Sequence, residues 1–165
     1  MTGEILILLG SNLGDRIRNI STACDLISRQ IGPIITKSSY YNTTAWGNTD
    51  QPDFINQVIE IESGSSPNSL LESCLEIEKS LGRVRNRKWE SRVIDIDILF
   101  YSNLVVQTKT LTIPHPEIQK RRFTLIPLKE IRPELIHPVL NKTVSELLQE
   151  CADTSEVSLV KTTGS

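Results

Sequence analysis

At 165 residues the chain has room for one hydrophobic core and too little for two ordinary ones, so a single domain over residues 1–165 is expected, with a frayed tail at 162–165. Charged residues make up 23% of the chain at a formal net charge of −2, which argues against a protein that binds nucleic acid non-specifically, since such proteins carry a broad basic surface. Cys24, Cys74 and Cys151 have neither an even count nor close metal-ligand spacing, so free thiols in a reducing compartment are expected and no disulfide.

The apolar run at residues 5–9 follows Glu4 and is closed by Gly10-Ser11-Asn12, the pattern of a buried strand ending in a turn. It is too short to span a membrane and has no basic leader, so a cytoplasmic protein with no membrane partner is expected. From residue 15 to 31, Ile17, Ile20, Cys24, Ile27 and Ile31 recur every three to four residues, predicting an amphipathic helix that stops at Gly32-Pro33. Residues 34–42 are β-branched and aromatic and read as one strand. A loop at 43–53 leads to another strand at 54–62.

Ser66-Pro67-Asn68 then opens a helix with Leu70, Leu71, Cys74, Leu75, Ile77 and Leu81 on its apolar face, ended by Gly82. Residues 93–100 form the next strand. The order βαββαβ predicts an α+β fold with a ferredoxin-like core, an antiparallel sheet carrying two helices on one face. Beyond it we expect a small hairpin at 104–106 and 111–113, short helices within 117–129, a helix at 145–151 and a last strand at 157–160.

The densest chemistry lies at residues 82–97. Arg83, Arg85, Arg87, Lys88 and Arg92 crowd a short loop, and Asp95 and Asp97 follow at i and i+2. Side chains alternate along a strand, so the two carboxylates share one face while Ile94, Ile96 and Ile98 share the other. Paired carboxylates suit a hard cation such as Mg²⁺, which is usually held by one or two carboxylates with substrate phosphates and water. Guanidinium groups are planar, permanently charged donors for phosphate oxygens. Either feature alone is more often a solvated surface, but two carboxylates on one face repel unless something cationic resolves them. Jointly they favour a magnesium-nucleotide site.

Other candidates carry open alternatives. Phe54 and Phe123 can stack a planar heterocycle and Asn56 can donate and accept on its edge, or all three are structural. Within Pro114-His115-Pro116, neutral His115 can donate to a phosphate or simply hold a loop. Lys120, Arg121 and Arg122 form a second basic run. Glu78 either orients a loop arginine or is solvated.

Six ordered segments together carry a resemblance: Gly10-Ser11-Asn12-Leu13-Gly14-Asp15, Asp50-Gln51-Pro52-Asp53-Phe54-Ile55-Asn56, Leu81-Gly82-Arg83-Val84-Arg85, Arg92-Val93-Ile94-Asp95-Ile96-Asp97-Ile98-Leu99, Pro114-His115-Pro116 and Arg121-Arg122-Phe123. Over residues 5–138 the chain resembles the 6-hydroxymethyl-7,8-dihydropterin pyrophosphokinase family of folate biosynthesis. The resemblance implies transfer of diphosphate from ATP to the pterin hydroxymethyl group, giving the pterin diphosphate and AMP. It implies two Mg²⁺ ions held by Asp95 and Asp97, and catalytic roles for Arg83 and Arg92 on a loop that closes over the triphosphate. It further implies ATP contacts from Trp89, Arg92, Ile98, Thr112, His115 and Arg121, the Ile98 and Thr112 contacts being to adenine through backbone groups. The pterin would meet Thr43, Thr44, Trp46, Phe54, Asn56 and Phe123.

Two departures stand out: Glu90-Ser91 replaces the family's usual Gly-Pro, and Thr44-Ala45 its common Glu-Pro, which bears on loop dynamics and turnover. RNA-recognition modules share the βαββαβ order but stack bases on central-strand aromatics. Residues 5–9 and 93–99 have none in their middles, and Asp95 and Asp97 would repel phosphate without a metal. A catalytically dead regulator on the same fold would be separated by activity with ATP and the pterin.

Overall fold

The computed structural model describes residues 3–43, 52–82 and 93–161. The apolar run lies within β1 (Gly3–Ser11), where Ile5, Leu6, Ile7, Leu8 and Leu9 are all buried. A strand buried on both faces needs cover on both. Helix α1 (Arg16–Gln30) begins where the Asp15 carboxylate accepts the Arg18 N–H at 3.1 Å, and it buries Ile20, Ala23, Cys24 and Ile27. Then follow β2 (Ile34–Lys37), β3 (Tyr41–Thr43), β4 (Phe54–Ser63), α2 (Pro67–Ser80) and β5 (Asp95–Tyr101).

The sheet runs β5-β1-β4, with β2 and β3 both on the outer side of β4 and every pairing antiparallel. This is the expected α+β, ferredoxin-like arrangement. One expectation is corrected: residues 34–42 are two strands rather than one. Lys37 stands opposite Ile59 and Tyr41 opposite Asn56, so Ser38, Ser39 and Tyr40 face only Gln57 and Val58. Ser38 absorbs the extra residue, donating its N–H to the Val58 carbonyl at 2.8 Å while its Oγ accepts the Val58 N–H at 3.0 Å.

After β5 the predicted hairpin is shorter than expected, β6 (Val106–Gln107) with β7 (Thr112–Ile113). Residues 117–129 resolve into a 3-10 turn (Ile118–Lys120) and one helix, α3 (Arg122–Ile131), which continues past Pro127. Helix α4 (Val144–Glu150) starts on a capping box between Thr143 and Glu146, and β8 (Val157–Leu159) pairs with β3.

Helices α1 and α2 cover one sheet face over Ile5, Ile7, Leu9, Ile59 and Ile96, as expected. The opposite face holds a second core: Leu6, Leu8, Val58, Leu99 and Phe100 pack under Leu125 and Leu128 of α3 and Val144 and Leu147 of α4. The expected two-layer sheet is thus three layers. Near the middle of the β1–β5 ladder, Leu6 pairs with Phe100 and Ile7 with Ile98, leaving Leu99 as a bulge, and both Leu99 and Phe100 enter the second core. Among the described residues no helix is long and apolar enough to cross a membrane. All three cysteines are free.

Candidate active site

The site grows from two rows across the central strands. Asn56, Gly10 and Asp95 pair across β4, β1 and β5, and two residues further along Val58, Leu8 and Asp97 do the same. Leu8 and Val58 belong to the second core, so Asp95 and Asp97 share the sheet face that α3 and α4 partly cover. Both carboxylates are half-buried, while Ile96 and Ile98 point into the first core. Gly10 is required here for space: a Cβ would lie 2.7 Å from Asn56 Oδ1 and 3.7 Å from Phe54 Cδ1.

Asn56 is buried and its Nδ2 reaches Thr43 Oγ1 at 3.4 Å. Thr43 is itself buried and stands opposite half-buried Phe54. Polar ties fix the approach to β4. Arg16 Nη1 donates to the Asp53 carbonyl at 2.7 Å, Asn42 Nδ2 to Asp53 Oδ2 at 2.9 Å, and Asn12 Nδ2 to the Pro52 carbonyl at 3.2 Å. The motif that closes β1 and the start of α1 therefore hold the residues leading into the Phe54–Asn56 pair.

The other side comes from the segment after β7. His115 donates its N–H to the Leu99 carbonyl at 3.0 Å, tying it to the bulge of β5. Its Nδ1 accepts the Glu117 N–H at 3.1 Å, so the proton of the neutral ring is on Nε2. Burial, aided by the positive charge of Arg121 and opposed by Glu117, pushes the His115 pKa down to about 4. It is a neutral donor at physiological pH. The Arg121 guanidinium lies 5.6 Å from the Phe123 ring centroid, and Phe123 packs against the second core.

Of the predicted site residues, Thr43, Phe54 and Asn56 gather at the β3–β4 end, Asp95 and Asp97 lie on the same face, His115 joins β5 through Leu99, and Arg121 and Phe123 pair at the start of α3. Ile98 has its side chain in the first core, and Thr112 lies on β7, which packs against β5. Both were expected to act through backbone groups. Thr44, Trp46, Arg83, Trp89 and Arg92 lie outside the described residues, as do the two departures and the closing loop.

Among the described residues no group of three or more His, Cys, Asp or Glu side chains forms a metal site. Two hard oxygen donors on one face fit a Mg²⁺ ion whose other ligands come from phosphate and water, and do not suit a metal needing a full protein shell.

Glu78 proves buried, with Oε2 accepting the Ile96 N–H at 2.7 Å between the two aspartates. The signal was in the spacing: Leu70, Cys74 and Glu78 are at i, i+4 and i+8, on the buried stripe of α2.

The chain matches the family model described as 7,8-dihydro-6-hydroxymethylpterin-pyrophosphokinase over residues 6–133. It is 42% identical over 141 residues to the 2-amino-4-hydroxy-6-hydroxymethyldihydropteridine pyrophosphokinase of Methylorubrum extorquens, covering 85% of this chain and 88% of that one. The enzyme of the same name from Haemophilus influenzae is 39% identical over 154 residues, 93% of this chain and 96% of that one. Among solved structures, wild-type HPPK-DHPS of Plasmodium falciparum with pterin and p-hydroxybenzoate superposes with a TM-score of 0.74 at 18% identity, which bears on the fold alone. That alignment takes in 91% of this chain but only 43% of the longer Plasmodium chain.

Proposed function

Because the chain belongs to the 7,8-dihydro-6-hydroxymethylpterin pyrophosphokinase family, we propose that it transfers diphosphate from ATP to the hydroxymethyl oxygen of 6-hydroxymethyl-7,8-dihydropterin in the cytoplasm, releasing AMP. The supporting observation is the pair of neighbouring rows Asn56–Gly10–Asp95 and Val58–Leu8–Asp97, in which an amide suited to a heterocycle edge and two carboxylates suited to a metal-phosphate group share one sheet face. Asn56 reads the pterin edge, Phe54 and Phe123 offer their faces, and Thr43 closes the β3 side. Asp95 and Asp97 would hold Mg²⁺, two ions by the family resemblance, which would supply charge neutralisation at the phosphate oxygens. His115 Nε2–H and Arg121 donate to phosphate oxygens from the opposite side, while backbone groups near Ile98 and Thr112 receive the adenine.

Attack forms the bond from the hydroxymethyl oxygen to the β-phosphorus and breaks the bond between that phosphorus and the oxygen bridging to the α-phosphate, so AMP leaves and the hydroxyl proton is released. The protein contributes alignment and charge rather than a nucleophile. The family resemblance assigns Arg83 and Arg92, with Trp89, to the triphosphate, and Thr44 and Trp46 to the pterin. Asp95→Ala and Asp97→Ala should each lower turnover by on the order of a hundredfold or more at saturating Mg²⁺, with the circular dichroism spectrum unchanged. Near-normal turnover in either variant would overturn the metal assignment.

A further inference from the structure

Helix α3 begins without a cap of its own, since Arg121 at the N-cap position makes no side-chain hydrogen bond to the helix. The missing acceptor comes from far along the chain. Asp153 Oδ2 takes the Arg122 N–H at 3.0 Å, and its other oxygen accepts the Ser155 N–H at 2.9 Å and the Ser155 hydroxyl. Arg122 returns a bond from Nη1 to the Ser155 carbonyl at 3.1 Å. Two residues later the same segment becomes β8, in which Val157 pairs with Thr43, Ser158 with Asn42 and Leu159 with Tyr41, and the Val160 N–H continues to the Tyr40 carbonyl at 2.9 Å. One short segment thus ties the first turn of α3, which carries Phe123, to the strand that carries Thr43. It lies beyond residues 6–133, the part matched by the family model.

We propose that residues 153–160 are a positioning strap for the pterin pocket, in which Asp153 caps α3 and keeps Phe123 and Thr43 in one fixed relation. This rests on the assignment of Phe123 and Thr43 to the pterin. The first backbone amides of a helix have no partner within it, and a carboxylate there also meets the positive end of the helix dipole. Without Asp153 the turn holding Phe123 frays for part of the time, and apparent affinity falls with the fraction of molecules in the binding-competent form. Most of the nucleotide side is built on other elements, β5 and the segment of His115; of the proposed phosphate contacts Arg121, outside the helix at the N-cap position, adjoins the strap. Pterin binding should therefore suffer more than nucleotide binding. The Asp153 carboxyl is held below the usual carboxylate range: burial raises it, but the Ser155 hydroxyl and the backbone N–H groups of Arg122 and Ser155 outweigh burial. It is charged at neutral pH, as a cap should be.

The test is calorimetric titration of the full chain and its Asp153→Ala and Asp153→Asn variants with a non-hydrolysable MgATP analogue, then with 6-hydroxymethyl-7,8-dihydropterin in its presence, alongside amide hydrogen exchange over residues 122–125. Losing a helix cap predicts a roughly fivefold weaker pterin complex in Asp153→Ala, an analogue affinity changed by less than about twofold, and faster exchange in the first turn of α3. Asp153→Asn should recover part of the pterin affinity, because its one amide oxygen can still accept the Arg122 N–H. Equal losses for both ligands, or faster exchange with unchanged pterin affinity, would overturn the proposal by reducing Asp153 to a structural residue. If Asp153→Ala fails to fold, Asp153→Asn and Ser155→Ala carry the same comparison. Wild-type protein that binds no pterin would instead refute the proposed function, and exchange over residues 122–125 would still decide whether Asp153 caps the helix.

Discussion

His115 and His137 show how one residue type serves two ends. His137 accepts the Val139 and Leu140 N–H groups on Nδ1 and meets Phe100 edge-on at 5.6 Å, a loop-building role. His115 also accepts on Nδ1, yet lies beside Arg121. The ordinary histidine value of 6.5 falls to about 4 in the fold, so between those values the unfolded chain binds a proton that the native chain refuses. The stability this contributes is fully present above pH 6.5 and is lost as the pH falls towards about 4. Wild-type stability measured by urea should drop between pH 7.5 and pH 5 by about 2 kcal/mol more than that of His115→Gln. The same drop in both proteins would remove His115 as the source. Gly10→Ala tests the close approach of Asn56: the new methyl must push the amide off its place near Thr43. Calorimetry should show pterin affinity reduced about tenfold, in keeping with the loss of one hydrogen-bonding edge, and MgATP affinity nearly unchanged. A uniform loss of both would place the damage in β1 rather than in the pocket.

At the scale of elements, strand β5 must present two carboxylates from the edge of a sheet, and edges are easily distorted. Its inner side is fixed by β1, and the carboxylate of Glu78 on α2 takes the Ile96 N–H. Glu78→Ala leaves that amide without its side-chain acceptor in a buried place and should cost about 1–3 kcal/mol of stability. Glu78→Gln keeps an acceptor oxygen and should recover most of it, as urea unfolding of the two variants would show. If alanine and glutamine are equally stable, the Ile96 bond does not anchor the strand. The helices α1 and α2 were legible because periodicity, caps and stops agreed. The break between β2 and β3 was not, because Ser38 looks like any strand residue until its Oγ meets Val58 across the pair.

For the whole molecule, local patterns disclosed the βαββαβ order but not the second core. Residues 5–9 are apolar without alternation, which already implied burial on both faces, yet α3 and α4 read only as short helices. Their role emerges only when Leu125, Leu128, Val144 and Leu147 meet Leu8, Val58 and Phe100 across the sheet. The candidate site was legible wherever a motif placed residues on one strand, as with Asp95 and Asp97. It was hidden wherever distant segments converge, as with Asp153 on α3. Phosphorus NMR of ATP, Mg²⁺ and 6-hydroxymethyl-7,8-dihydropterin with the protein tests the central claim most directly, since it reports which bond of ATP is broken. The arrangement predicts AMP and a pterin carrying two phosphorus signals in equal amounts. ADP with a singly phosphorylated pterin, or ATP left intact at saturating Mg²⁺, would contradict it.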